Sequence, residues 1–269
     1  MIVREPINLQ EPENGFERIG RGILLGLADV GRAATICVGA FANMRFAFGR
    51  RARREITAQI HNCALKSLPV VTVVAFFIGM ILALQIGIEL RRYNQESLIG
   101  PAVMSSMLRE MGPFMSGLVL AACVGAAMAA QMGTMMVNEE IAALEIMSID
   151  PLRFLVMPRM VAMMISVPLI SFYTCMVALV GGAVVGLTQL SVPLPTYWTN
   201  AFDFAELRAL YVGLFKAFIF GILIVTVACY EGFTSERGAV GVGAATRRSV
   251  VVNFLMILVV GYFVTRLFY

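Results

Sequence analysis

Two short stretches hold the residues best placed to do chemistry. The first, Leu108-Arg109-Glu110-Met111-Gly112-Pro113, sets a cation beside an anion just before a long apolar run. Ionisable groups at membrane depth are costly and normally paired. Arg109 and Glu110 are therefore candidates for an intramembrane charge pair, the alternative being a solvated helix end just outside the bilayer. Pro113 suits either the first turn of a new helix or a kink. The second stretch, Asn138–Arg153, carries Glu139, Glu140, Glu145 and Asp150, with Ile141, Leu144 and Met147 at spacing three. Pro151 discourages helix at Asp150 and ends the element. The pattern suits a short helix parallel to the membrane that seats in a groove of a cytoplasmic partner, with its glutamates near basic groups. An ordinary loop is the competing reading.

Other chemistries lack their residues. The only lysines are Lys66 and Lys216, and neither stands in a glycine-rich G-K-[ST] loop, so the chain holds no nucleotide phosphates of this kind. The single histidine, His61, lies at a membrane entry, and no Ser-His-Asp arrangement can be built around it. The five cysteines (Cys37, Cys63, Cys123, Cys175, Cys229) are scattered without metal-ligand spacing and read as buried small hydrophobes. No catalytic residue, bound cofactor, metal or nucleic-acid partner is expected. Energy for any uphill movement must come from another chain.

The elements that must position these stretches are membrane spans. The chain is 59% hydrophobic and 14% charged, far from a soluble composition. About 20 apolar residues cross the hydrocarbon. Five runs qualify: 68–88, 113–137, 160–190 with Pro168 inside, 209–230 with Lys216 inside, and 250–268. Residues 89–112 read as a connection that is polar at first and mildly apolar later. The loops on one side carry ten, two and three Lys and Arg, and those on the other carry three and one. The first side is therefore cytoplasmic, which puts the N-terminus and segment 138–153 inside and the C-terminus outside. Residues 1–14 form a polar tail with no signal-peptide core. Residues 15–66 combine an amphipathic helix with a basic linker at Arg50, Arg51, Arg53 and Arg54. In that helix Arg18, Arg21, Asp29 and Arg32 form a thin stripe against a wide apolar face, so it is expected to lie in the interface. Residues 67–269 form the transmembrane domain. Gly117, Ala121, Gly125, Ala129 and Gly133 make a ladder of small residues in the second span, and Ala178, Gly182 and Gly186 repeat it in the third. Such ladders admit a close neighbour, within one chain or between two copies.

From about residue 55 onward the chain resembles the MlaE/YrbE permeases, the membrane subunits of MCE-associated ABC transporters. The resemblance is carried by Phe77-Ile78-Gly79-Met80 with Leu84-Gln85, by Leu108 to Pro113, by Glu145-Ile146-Met147-Ser148-Ile149-Asp150-Pro151-Leu152, by Pro158-Arg159, by Gly232, and by Gly241 to Val251. It implies an all-α, exporter-type ABC permease with an N-terminal elbow helix and five spans. It implies a homodimer in the bacterial inner membrane that moves phospholipid to or from a periplasmic MCE-protein hexamer and contributes to outer-membrane lipid asymmetry. A cytoplasmic ATPase dimer, using ATP and Mg, would dock on the coupling helix at 138–153 through Glu139, Glu140, Glu145 and Asp150. A STAS-domain protein may accompany the ATPase in such systems.

Acyl chains need adaptable apolar walls, which Phe76, Ile78, Met80, Leu84 and Tyr93 could supply. The chain departs from the family where Gly-Arg-x-Gly becomes Ala122-Cys123-Val124-Gly125 and Ala-Glu becomes Ala130-Gln131. Losing both members of a charge pair avoids a lone buried charge. Two other classes compete: a lipid-modifying membrane enzyme, which would need a catalytic cluster, and a scaffold, which would hold no lipid between copies.

Overall fold

The computed structural model describes the backbone of residues 15–190 and 192–269, and the side chains there except those of residues 15–23, 25, 47, 48, 50 and 51. The polar tail 1–14 and the side chains of Arg18 and Arg21 thus fall outside the described residues. The protein is an all-α membrane protein, with no strand among the described residues. Five helical stretches are long and apolar enough to cross a membrane: Ala52–Arg92, Glu96–Val137, Leu152–Gln189, Leu207–Phe233 and Ala239–Phe268. A sixth long helix, Gly15–Ala42, precedes them.

The second span begins earlier than its hydropathy suggests. Residues 99–112 belong to it, with Ile99, Val103, Met104, Met107 and Leu108 buried. Their cover comes from the short helix Leu194–Asp203, whose Tyr197 is buried and donates from Oη to the Leu179 carbonyl at 3.3 Å. Gly100 sits under the Tyr197 carbonyl, where a side chain would not fit. Pro113 does not break the helix. It follows a π-helical turn, Met107–Met111, in which the Gly112 N–H reaches back to the Met107 carbonyl. The missing proline N–H then falls at the first turn of the next α segment, where it costs least.

Small residues set how the spans pack. In the first span Val71, Ala75, Gly79, Ala83 and Gly87 form one buried stripe. A methyl at Gly79 would collide with the Ala178 carbonyl, and one at Gly181 with the Phe76 carbonyl, so the first and third spans meet backbone to backbone. The ladder of the second span faces the fourth and fifth spans: Gly117 lies against Phe220 and Ile257, Gly125 against Ile224 and Asn253, and Gly133 against Ser235 and Val242. Both ladders are therefore occupied within one chain. In lipid, where apolar burial gives little drive between helices, such close contact supplies the association energy. Of the cysteines, Cys63, Cys175 and Cys229 are buried, but Cys123 is exposed.

The N-terminal helix leaves Leu24, Leu27, Val30 and Val38 exposed and turns Ile36 and Ala40 to the bundle. Its charges do not all look outward. Asp29 accepts from Arg32 at 2.7 Å and from the Tyr230 hydroxyl at 2.6 Å, which ties the helix to the end of the fourth span.

Gly79→Ala should destabilise the chain by about 1–3 kcal/mol, because the clash is with backbone that cannot turn aside. Gly243→Ala, with nothing within 4 Å, should be neutral or slightly stabilising. Thermal unfolding of the two variants in one detergent checks the contrast; equal midpoints would remove the packing account.

Candidate functional site

The sequence places Lys216 in the middle of a span, and the structure shows what that residue requires. Lys216 is 1% exposed. Its Nζ donates to Glu110 Oε1 at 2.6 Å and to the Arg109 carbonyl at 2.8 Å. Thr265 of the fifth span donates to the same Glu110 oxygen at 2.6 Å. Pro113, four residues on, has no N–H to give the Arg109 carbonyl, which is left free to accept from Lys216. Gly213, one turn before Lys216, lies beneath the Leu108 carbonyl, and this close approach lets the ammonium reach its acceptors. One buried cation thus joins three spans. An ammonium and a carboxylate that satisfy each other in this way lower the cost of both charges in an apolar surrounding.

Arg109 and Glu110 do not pair with each other. Arg109 Nη2 meets Glu206 Oε2 at 2.8 Å, and the guanidinium lies over the Tyr269 ring at 5.1 Å. Arg208 donates to the Phe268 carbonyl at 2.6 Å. The two residues therefore bind separate partners, with Arg109 fastening the C-terminal end. Lys216, Thr265 and Glu206 belong to this cluster and stand outside the site residues that the sequence singles out. Lys216 was detectable, since an isolated lysine in an apolar span carries the same signal as Arg109 and Glu110.

A second buried cation has a weaker setting. Arg159 is 7% exposed. It donates to the Leu155 carbonyl at 2.8 Å and lies 3.7 Å from Met132 Sδ and 3.5 Å from Gln131 Oε1. Its Nε has no hydrogen-bond partner among the described residues. The neighbour that Gln131 meets is thus Arg159. The family's glutamate, if placed at 131, would face this arginine.

On the side where residues 138–151 join the second and third spans, Glu140–Ile146 forms a helix bracketed by Glu139 and Ser148, both at φ 59°. Ile141 and Leu144 face the bundle, while Met147 is 60% exposed and Ile146 is 85% exposed. Glu139, Glu140 and Glu145 are exposed. Asp150 is exposed but engaged: it accepts from Asn43 at 3.2 Å and from the Leu152 N–H at 3.0 Å. Arg153 lies over the Phe46 ring at 3.7 Å. The segment is thus clamped to the end of the N-terminal helix. Of the five apolar candidates on the first span, Phe76, Ile78, Met80 and Leu84 are half-buried and Tyr93 is exposed. Leu84 lines a cavity of about 460 Å³.

A sequence profile of the family described as Permease MlaE matches residues 56–267, which include the Lys216–Glu110–Thr265 cluster, the exposed helix and all but the outermost few residues of the five spans. The chain belongs to the MlaE permease family. A probable ABC transporter permease protein of Rickettsia bellii is 40% identical over 80% of this chain and 83% of its own length. A probable ABC transporter permease protein of Synechocystis is 31% identical over 82% of this chain and 84% of its own. The intermembrane phospholipid transport system permease protein MlaE of Haemophilus influenzae is 28% identical over 95% of this chain and 98% of its own.

Substitutions at two sites, the Glu110–Lys216 pair and Gln131, test the charge assignments of this permease. Glu110→Ala should cost about 3 kcal/mol, since it strands the Lys216 ammonium. Glu110→Ala with Lys216→Met should restore most of the loss, and the double-mutant cycle completed by Lys216→Met alone reads the coupling in thermal unfolding. Gln131→Glu should stabilise by about 1–2 kcal/mol by giving Arg159 a charged acceptor; a lower unfolding temperature would contradict that reading.

Proposed function

We infer that this chain is the membrane subunit of an ATP-driven transporter that moves phospholipid between the inner membrane and a periplasmic MCE protein, and so contributes to outer-membrane lipid asymmetry. The single observation that carries the reading is its match along nearly the whole length to the Haemophilus permease of an intermembrane phospholipid transport system. The chain acts as a homodimer, with the N-terminus and the Glu140–Ile146 helix in the cytoplasm and the C-terminus in the periplasm. A separate ATPase dimer binds and hydrolyses MgATP, with a STAS-domain protein as its accessory partner.

The helix Glu140–Ile146 is the coupling element. Its inner edge, Ile141 and Leu144, transmits displacement to the second and third spans. Its outer surface offers Ile146 and Met147 to an apolar cleft and Glu139, Glu140 and Glu145 to basic groups. Asp150 serves this element by holding the segment to Asn43. Lipid passes along apolar walls that include Leu84, and the Glu110–Lys216 pair holds the second and fourth spans in register while the two halves move.

Purification of the complex tests the reading. The permease alone should hydrolyse no ATP. Glu145→Arg should reduce copurified ATPase about tenfold or more, a loss of at least about 1.4 kcal/mol, through lost attraction and new repulsion. ATP-driven lipid transfer should fall with it. If Glu145→Arg and a joint reversal at Glu139 and Glu140 leave association and transfer unchanged, coupling runs elsewhere.

A further inference from the structure

The cavity at Leu84 lies at the end of the first span farthest from the coupling helix, where the apolar helix gives way to the turn Tyr93-Asn94-Gln95. Its floor is apolar: Leu84, Ile88 and Leu190. Gly87 makes that floor possible, because any side chain there would occupy the place of the Leu190 methyls. Its mouth is polar: Arg91, Arg92 and Gln189. Arginines at a span end commonly extend to water over a filled apolar surface. These two instead stand over an unfilled space of about 460 Å³. An apolar hollow of that size, open at the bilayer boundary, takes an acyl chain more favourably than it takes water.

The mouth carries more information than its positive charge. Arg91 Nε is 3.4 Å from Glu96 Oε1, and Arg92 Nη1 is 3.4 Å from Glu89 Oε2. Each contact is single, long and solvent-exposed, so it constrains the guanidinium little. An arginine has five N–H donors in a fork that matches phosphate, so each keeps the capacity to bind phosphate oxygens. The two carboxylates beside them would repel a headgroup that bears only negative charge. They would accept a headgroup ammonium.

We propose that this groove is a loading site for a zwitterionic phospholipid, with the phosphate on Arg91 and Arg92, the headgroup amine at Glu89 and Glu96, and one acyl chain along Leu84, Ile88 and Leu190. The role of the site, though not its chemistry, rests on the transport reading above. It gives a headgroup class to a pathway otherwise known only by its apolar walls.

A photo-reactive side chain introduced at Ile88, in nanodiscs of equal phosphatidylethanolamine, phosphatidylglycerol and diacylglycerol, reports occupancy by mass spectrometry of the adducts. The expected order is phosphatidylethanolamine first, phosphatidylglycerol about threefold lower and diacylglycerol about tenfold lower, as charge-assisted contacts are removed one kind at a time. Arg91→Gln with Arg92→Gln should bring diacylglycerol level with phosphatidylethanolamine. Glu89→Gln with Glu96→Gln should make the two phospholipids equal. Because each readout is a ratio within one sample, a loss of folded protein does not mimic the effect. Equal capture of all three lipids by the unaltered protein, or ratios unmoved by both double variants, overturns the site. Lipid transfer by the reconstituted complex, measured in parallel, separates the two readings. Transfer without headgroup ordering removes the groove and leaves the transporter. Ordering without transfer removes the transport reading and leaves the groove as a lipid site.

Discussion

An ammonium with no water around it must be given acceptors, and much of this fold follows from how Lys216 obtains them. The Arg109 carbonyl is free to be one of them because its α-helical donor four residues on would be Pro113, which has no N–H. Gly213 removes the bulk that would hold the spans apart. Thr265 brings the fifth span to the same carboxylate oxygen. Three spans that lack strong apolar attraction for one another in lipid are thereby joined at one polar point. Methionine-rich and small-residue packing fills the space on either side of it.

Span number and the place of the short helix between the second and third spans are legible because they rest on length and polarity, which sequence displays directly. The second span was shortened to 113–137 in that reading. Residues 99–112 are only mildly apolar, and their burial depends on Tyr197, which lies almost a hundred residues away. The small-residue ladders were visible, but their partners were not: period-four spacing says a backbone comes close without saying whose. The stripe of Val71, Ala75, Gly79, Ala83 and Gly87 is equally periodic, yet larger residues between its members hide it. The charge cluster was half legible. Arg109 and Glu110 stand out locally, whereas pairing across the bundle needs the register of three helices.

The paired loss at Cys123 and Gln131 shows the same limit. Compensation within one helix was a sound idea about charge, but Gln131 meets an arginine of the third span. Cys123 is exposed on the second span's surface. The segment ending in Asp150 behaves similarly. Its carboxylate looks like one more acid on a docking surface, yet Asn43 and the Leu152 N–H occupy it. Together with Tyr230 and Asp29, these contacts fasten the N-terminal helix to the bundle at two points. A displacement of the Glu140–Ile146 helix is therefore shared with the first helix of the chain.

The π-helical turns have a consequence for how such a chain can vary. Each closes over one residue more than an α turn, so each acts as a built-in insertion. The second span contains two, at Met107–Met111 and Ala121–Gly125. Deleting a single residue from the first would let regular α-helix resume with the faces on either side nearly in place, because five residues of a π turn sweep about the same angle as four of an α turn. A deletion between Leu108 and Gly117 but outside that turn has no such slack and would rotate everything on one side by about 100° relative to the other. The faces carrying Ile99 to Leu108 and Gly117 to Gly133 would then no longer point at their respective neighbours. The span can lose a residue where its helix already carries a surplus one, and not between those places.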